Sequence, residues 1–228
     1  MENIAETQDQ PKFAFYKALW LLGVLSLVLL EPIVYNYIFS HKTQYPESVR
    51  EVVYSKLKPL QSFSLVDHQN SAFGLDQLQG RWTFLIFGYT QCPDICPATL
   101  SQLTNLNQLM GEKLEEGLLP QFVFVSVDPA RDNVKVLNEY IKYFDNGFIA
   151  ATGSMQNIKS FEDQFNVFHQ YDIPDSDGNY AVTHSAEIYL IDPKARIMAK
   201  FTPPISTLQV KQQYQDLQNY FPIKINKT

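Results

Sequence analysis

Hydrophobic positions follow two regimes along the chain. Near the amino terminus they are continuous: no charged residue occurs from Ala18 to Leu30, and after Glu31-Pro32 apolar and aromatic residues resume through Phe39. As a helix, residues 18–39 would extend roughly 33 Å, against a bilayer hydrocarbon thickness of about 30 Å. The pattern therefore predicts a membrane-spanning helix kinked near Pro32. Glu31 sits in its outer part within reach of the interface, and Tyr35 and Tyr37 suit the interfacial belt.

Beyond Leu60 the apolar residues come in short runs and helical stripes. Phe63–Val66 and Ala72–Leu75 read as a hairpin around Asp67–Ser71, and the unbroken run Trp82–Gly88 as a central strand buried on both faces. Leu100, Leu103, Leu106 and Met110 recur at helical spacing from Pro97 to near Gly117, and Phe122–Val127 is the next buried strand. Val134, Leu137, Ile141 and Phe144 mark a second helix and Phe148–Ala151 a third strand. A third helix, capped by Ser154, carries Ile158, Phe161 and Phe165. Ala186–Ile191 and Arg196–Phe201 pair across a turn at Asp192-Pro193, and a last helix starts at Ser206, with Gln209 at capping-box spacing. Alternating strands and helices followed by a hairpin and a closing helix predict an α/β sandwich around a mixed sheet.

This reading divides the chain into a tail (1–17), a membrane anchor (18–39), a polar linker (40–58) with a short helix over 47–57, and one globular domain (59–228). The residues after the apolar run offer no small-residue cleavage site, so an anchor is favoured over a removable signal peptide. Lys12 and Lys17 precede the span and place the amino terminus in the cytoplasm, with the domain outside. The acidic, arginine-free start speaks against a mitochondrial transit peptide. A bacterial inner-membrane protein facing the periplasm is the expectation. The formal net charge of −6, with no Lys/Arg run, speaks against nucleic-acid binding.

Only two cysteines occur, Cys92 and Cys96, which is not the scatter of a disulfide-stapled domain. They lie between the central strand and a helix, where open α/β sheets place ligands. Pro97 suits a first helical turn and disfavours helical geometry at the residue before it, so Cys96 is expected at the N-cap, its sulfur facing the positive helix end. Two such thiolates can form a disulfide or hold a soft metal. With one imidazole added, the set suits Cu(I) and accommodates Cu(II), whereas a closed zinc site would want a fourth ligand.

Four histidines are candidates for that imidazole. His41, at the linker, and His68, in the hairpin turn, read as solvated surface residues, and His169 as a polar residue beside the core. His184 leads into the apolar strand beginning at Ala186, where a rigid scaffold would hold it. The combination of Cys92-Pro-Asp-Ile-Cys96-Pro97, Ser126-Val-Asp128-Pro129-Ala-Arg131-Asp132 and Thr183-His184-Ser185 resembles the Sco/SenC family of copper proteins. The likeness runs from about Leu60 to Leu217 and includes Phe201-Thr-Pro-Pro204. It implies a thioredoxin-like fold with an extra N-terminal hairpin, a copper site of Cys92, Cys96 and His184, and a membrane anchor.

The implied function is a metallochaperone for the binuclear copper centre of cytochrome c oxidase subunit II, supplied by a periplasmic copper donor or thiol-disulfide partner. The alternative is a membrane-anchored thiol-disulfide reductase, with Cys92 and Cys96 as its redox pair, that keeps the oxidase cysteines reduced; the three-residue spacing and His184 favour metal. A thiol peroxidase shares the fold but gives His184 no role. Thr183 departs from the Asp that many members carry before the histidine, leaving a hydroxyl without charge as support. Asp128 and Asp132 match the family pattern, as turn and helix-cap residues or as groups serving the metal.

Overall fold

The structure, a computed structural model, describes residues 10–39, 45–111 and 119–221. It divides into two compact units, Met1–Tyr45 and Pro46–Thr228. The described part of the first is helix α1 (Gln10–Phe39), continuous through Pro32. Its segment Phe15–Tyr35 is long and apolar enough to cross a membrane, and side chains such as Trp20 and Leu27 stand exposed along it. His41 lies outside the described residues.

The second unit is built on one mixed eight-stranded sheet. Its strands are β1 (Val53–Pro59), β2 (Ser64–Asp67), β3 (Ala72–Gly74), β4 (Thr83–Gly88), β5 (Gln121–Ser126), β6 (Ile149–Thr152), β9 (Ile188–Ile191) and β10 (Arg196–Phe201). They lie in the order β1-β10-β9-β4-β5-β6-β2-β3. β4, β5 and β6 run parallel, and the remaining pairs are antiparallel. Every residue of β4 and β5 is buried, as their unbroken apolar runs require of strands covered on both faces.

Alternation along β4 assigns the two layers. Phe84 faces Tyr214 of helix α5 (Thr207–Tyr220), on the side that also carries helices α2 (Ile95–Gly111) and α3 (Val134–Phe144). Phe87 points the opposite way, against Phe161 and Phe165 of helix α4 (Met155–Phe165), which Phe63 also packs on. The predicted caps form: Ser154 accepts from the Asn157 amide and Ser206 from the Gln209 amide. The thioredoxin-like core with an added β2–β3 hairpin is the expected fold.

Two expectations need correction. Residues 47–57 hold only a 3-10 turn at Glu47–Val49, and 53–59 form strand β1, paired with β10 through an irregular register. An edge strand of mixed polarity takes its structure from a partner far along the chain, which local pattern does not reveal. His68 is buried, not solvated: its Nδ1 accepts from the Ala150 amide at 3.2 Å, because β2 pairs with β6 and the chain continues along it. The described part of α2 runs Ile95–Gly111, and its expected limit near Gly117 lies outside the described residues. Lastly, β7 (His169–Tyr171) and β8 (Val182–His184) form a separate ribbon that short polar sequences did not announce.

Candidate metal centre

β4 delivers the chain to Gly88, the loop 89–94 turns, and α2 begins at Ile95. Cys96 is thus inside the first helical turn rather than at the N-cap. The Ala98 amide donates to the Asp94 carbonyl at 3.1 Å, and Pro97, whose nitrogen has no helical acceptor so early in the helix, sits there without losing a bond. This reverses the expected roles of the two sulfurs. The Cys96 amide donates to Cys92 Sγ at 3.5 Å, so Cys92 faces the positive helix end.

The electrostatics follow. A hydrogen bond from the Cys96 thiol, with the amides of Cys96 and Asp94 offsetting burial, brings the Cys92 thiol down to about 4. Cys96 moves the opposite way, far above an ordinary thiol, because it donates to Cys92 and is itself buried. The pair therefore shares one proton at neutral pH, as a Cys92 thiolate beside a Cys96 thiol. Cys96 reaches its place only because residue 88 has no side chain: a Cβ there would lie 2.6 Å from Cys96 Sγ and 2.8 Å from Phe124 Cε2.

His184 ends β8 and sets Nε2 at 3.2 Å from Cys96 Sγ. Its Nδ1 is 2.8 Å from the Ser185 carbonyl oxygen, which can only accept, so Nδ1 carries the proton and the Nε2 lone pair faces the sulfurs. The Tyr89 ring packs edge-on against the imidazole. Cys92, Cys96 and His184 bring their ligand atoms within 4.8 Å of one another. Two sulfurs, one aromatic nitrogen and no carboxylate make a soft donor set that fits copper.

The two aspartates of the sequence motif stand outside that ligand group and act as braces. Asp132, fully buried, accepts from the Thr90 amide at 2.9 Å, from the Thr90 hydroxyl at 2.6 Å and from the Ser126 hydroxyl at 2.6 Å. It fastens the cysteine loop to β5; burial nevertheless raises its pKa. The cap of α3 is Asn133 instead. Asp128 accepts from Arg131 and from the Tyr180 hydroxyl. Arg131 donates onward to Gln91 Oε1 and the Tyr180 carbonyl, and its guanidinium lies 3.6 Å from the centre of the Tyr180 ring. These contacts join the cysteine loop to the segment leading into β8. No local signal marked Thr90 or Tyr180 as partners, since Thr90 meets Asp132 and Tyr180 meets Asp128 across long sequence separations.

Thr183 is exposed and, by alternation, on the opposite face of its strand from His184, so its hydroxyl does not orient the imidazole. His169 makes a buried pair with Glu162, its Nδ1 at 2.7 Å from the carboxylate, and is not one of the clustered ligands.

A thioredoxin-type domain that gathers two thiols and an imidazole beyond the carboxyl ends of its central strands defines a thiol-based metal-binding or redox protein. The particular lineage follows from comparison: the SCO1/SenC family model matches residues 55–220, and the chain belongs to that family. It is similar to an SCO2-like protein of Rickettsia prowazekii, at 37% identity over 162 residues, covering 71% of this chain and 78% of the relative. A putative copper-binding protein of Stutzerimonas stutzeri is 34% identical over 151 residues, covering 65% of this chain and 71% of that protein. Among solved structures, copper-bound ScoI of Arabidopsis thaliana superposes with a TM-score of 0.65 at 32% identity, covering 70% of this chain and 98% of that one. Copper-bound yeast Sco1 gives 0.66 at 26% identity, covering 73% and 92%.

Proposed function

We propose that this protein binds copper through Cys92, Cys96 and His184 and passes it to the binuclear copper centre of cytochrome c oxidase subunit II, from a domain held at the periplasmic face of the bacterial inner membrane by α1. The observation that carries the reading is the convergence of two thiols and one imidazole within 4.8 Å, with no carboxylate among them. Support comes from the Sco family, copper-binding proteins involved in cytochrome c oxidase assembly, and from relatives solved with copper bound. The apolar span Phe15–Tyr35 supplies the anchor.

Copper is the cargo. Delivery is ligand exchange: each bond from copper to Cys92, Cys96 or His184 is replaced by one to the partner's own thiolate or imidazole, and no electron changes hands. The Cys92 thiolate is ready to bind at neutral pH, and Cys96 releases its proton as copper takes the proton's place between the sulfurs. The lone pair on His184 Nε2 needs no proton loss.

A second reading has its own observation, the thiolate–thiol asymmetry of the pair. Cys92 could attack a partner disulfide, expelling one partner thiolate. Cys96, on losing its proton to that thiolate, would then displace the second sulfur, leaving two reduced cysteines on the partner and an oxidised Cys92–Cys96 pair. Copper stoichiometry and absorption of the reduced protein beside a His184→Ala variant decide between the two. One copper per chain with a sulfur-to-Cu(II) band, weakened or shifted in the variant, is expected. Absence of stable copper binding, alongside a readily reversible Cys92–Cys96 disulfide, would establish the reductase instead.

A further inference from the structure

His184 ends a ribbon that lies outside the eight-stranded sheet. In it β7 and β8 pair His169 with His184, Gln170 with Thr183 and Tyr171 with Val182. A two-stranded hairpin this short is at best marginally stable alone, so where it lies depends on what its side chains reach. Residues directly opposite in an antiparallel pair project from the same face, as do residues two apart on one strand. His169, Tyr171, Val182 and His184 therefore share the inner face, while Gln170 and Thr183 are exposed on the outer one.

Three of these inner side chains carry a polar tie to the body of the domain. His184 reaches Cys96 on α2, and Tyr171 donates its hydroxyl to the Val127 carbonyl just beyond β5. His169 sets Nδ1 at 2.7 and 2.8 Å from the two carboxylate oxygens of Glu162 on α4, and since an ionised carboxylate can only accept, Nδ1 is the donor. Glu162 is fully buried, on a helix face whose other buried residues are Ile158, Phe161 and Phe165. Its backbone carbonyl accepts the Val167 amide at 3.1 Å where α4 closes on a left-handed Asn166, so the chain turns into β7 within reach of that carboxylate.

A carboxylate among phenylalanines is costly unless it is paired, and an apolar pair of similar volume would hold the layers together as well. What the ionisable pair adds is a directed bond of fixed length. We propose that Glu162 and His169 are positioning residues for the copper ligand. The carboxylate fixes His169, and cross-strand pairing then fixes where His184 stands relative to the two sulfurs. The tie lies directly opposite the ligand, so a shift of His169 reaches His184 with no residue between. On its other side His184 is followed by an irregular segment that rejoins the sheet only at Ile188. The bearing on copper rests on the copper-binding reading above; the geometry of the clamp does not.

The test uses the full chain in detergent micelles and two variants. Glu162→Leu combined with His169→Phe removes the tie but keeps the space apolar, so Tm should match or exceed that of the wild type. Copper-free, this double variant should still show displaced His184 ring-proton NMR shifts, which the edge-on Tyr89 ring 5.7 Å away helps set, and faster amide exchange over residues 182–184. Loaded with Cu(II), it should show an altered sulfur-to-copper band and an affinity about 10–100-fold weaker in competition with a chelator. Glu162→Gln keeps an oxygen that accepts from Nδ1 and should match the wild type in all these readouts. Unchanged His184 shifts in the double variant overturn the proposal, as does a Glu162→Gln variant perturbed as much as the double one. A double variant that fails to fold makes the pair structural and overturns the positioning role. A wild type that takes up no copper overturns the copper-binding reading, and the copper-free shifts still decide the clamp.

Discussion

Gly88 is where the strand, the helix and the metal site compete for one volume, and Gly88→Ala tests that competition directly. The added Cβ would stand 2.6 Å from Cys96 Sγ and 2.8 Å from Phe124 Cε2. Ordinary contact between such atoms is about 3.5–4.0 Å, so one neighbour must retreat by about 1 Å. Neither has open space: Cys96 is 2% exposed and Phe124 1%, the latter packed against Tyr140. Overpacking of this kind costs about 1–3 kcal/mol. At about 2–4 °C per kcal/mol for a domain of this size, Tm should fall by about 2–12 °C, measured by circular dichroism on the copper-free chain. Copper binding should weaken as well, because the sulfur is moved relative to Cys92 and His184. Cys96→Ala removes the closer obstruction, so Gly88→Ala combined with Cys96→Ala should lose less stability than the sum of the single changes. Strict additivity in that cycle would refute the claim that Gly88 is kept bare for the Cys96 sulfur.

At pH 6, iodoacetamide should modify Cys92 and spare Cys96, with the rate inflecting near 4; mass spectrometry of the adduct checks this, and equal labelling of both sulfurs would contradict the thiolate–thiol assignment. The same shift has a stability consequence. The folded Cys92 pKa lies below the unfolded thiol value of about 8.5, so its contribution is complete above that value and is lost as pH falls toward 4. Cys96, shifted upward, contributes fully below about 8.5 and loses that contribution at higher pH, so the pair stabilises the fold most near that value. The Tm difference between wild type and Cys92→Ala should therefore shrink from pH 8 to pH 4. Arg131→Lys should cost about 1–3 kcal/mol and loosen residues 172–181, because a lysine cannot reach Gln91, the Tyr180 carbonyl and the Tyr180 ring together. Faster amide exchange in that segment is the readout, and unchanged exchange would show that the clamp does not hold it.

Much of this protein was legible along the chain because its main signals are local. The apolar span, the unbroken run 82–88, the helical stripes and the caps at Ser154 and Ser206 each arise from neighbours within a turn or two, and short-range physics encodes them directly. The three ligands were legible for a different reason: chemically rare residues at a characteristic spacing narrow the choices, and resemblance singled out His184. What the sequence did not contain was anything decided by contact between distant segments. Strand β1 exists because β10 is there to pair with it, and His68 is buried because β2 continues along β6. The polarity of the thiols also belongs to the tertiary structure. Whether a sulfur caps a helix or hides behind it depends on a fraction of a helical turn, and here the helix begins at Ile95, making Cys92 the thiolate and Cys96 the buried thiol.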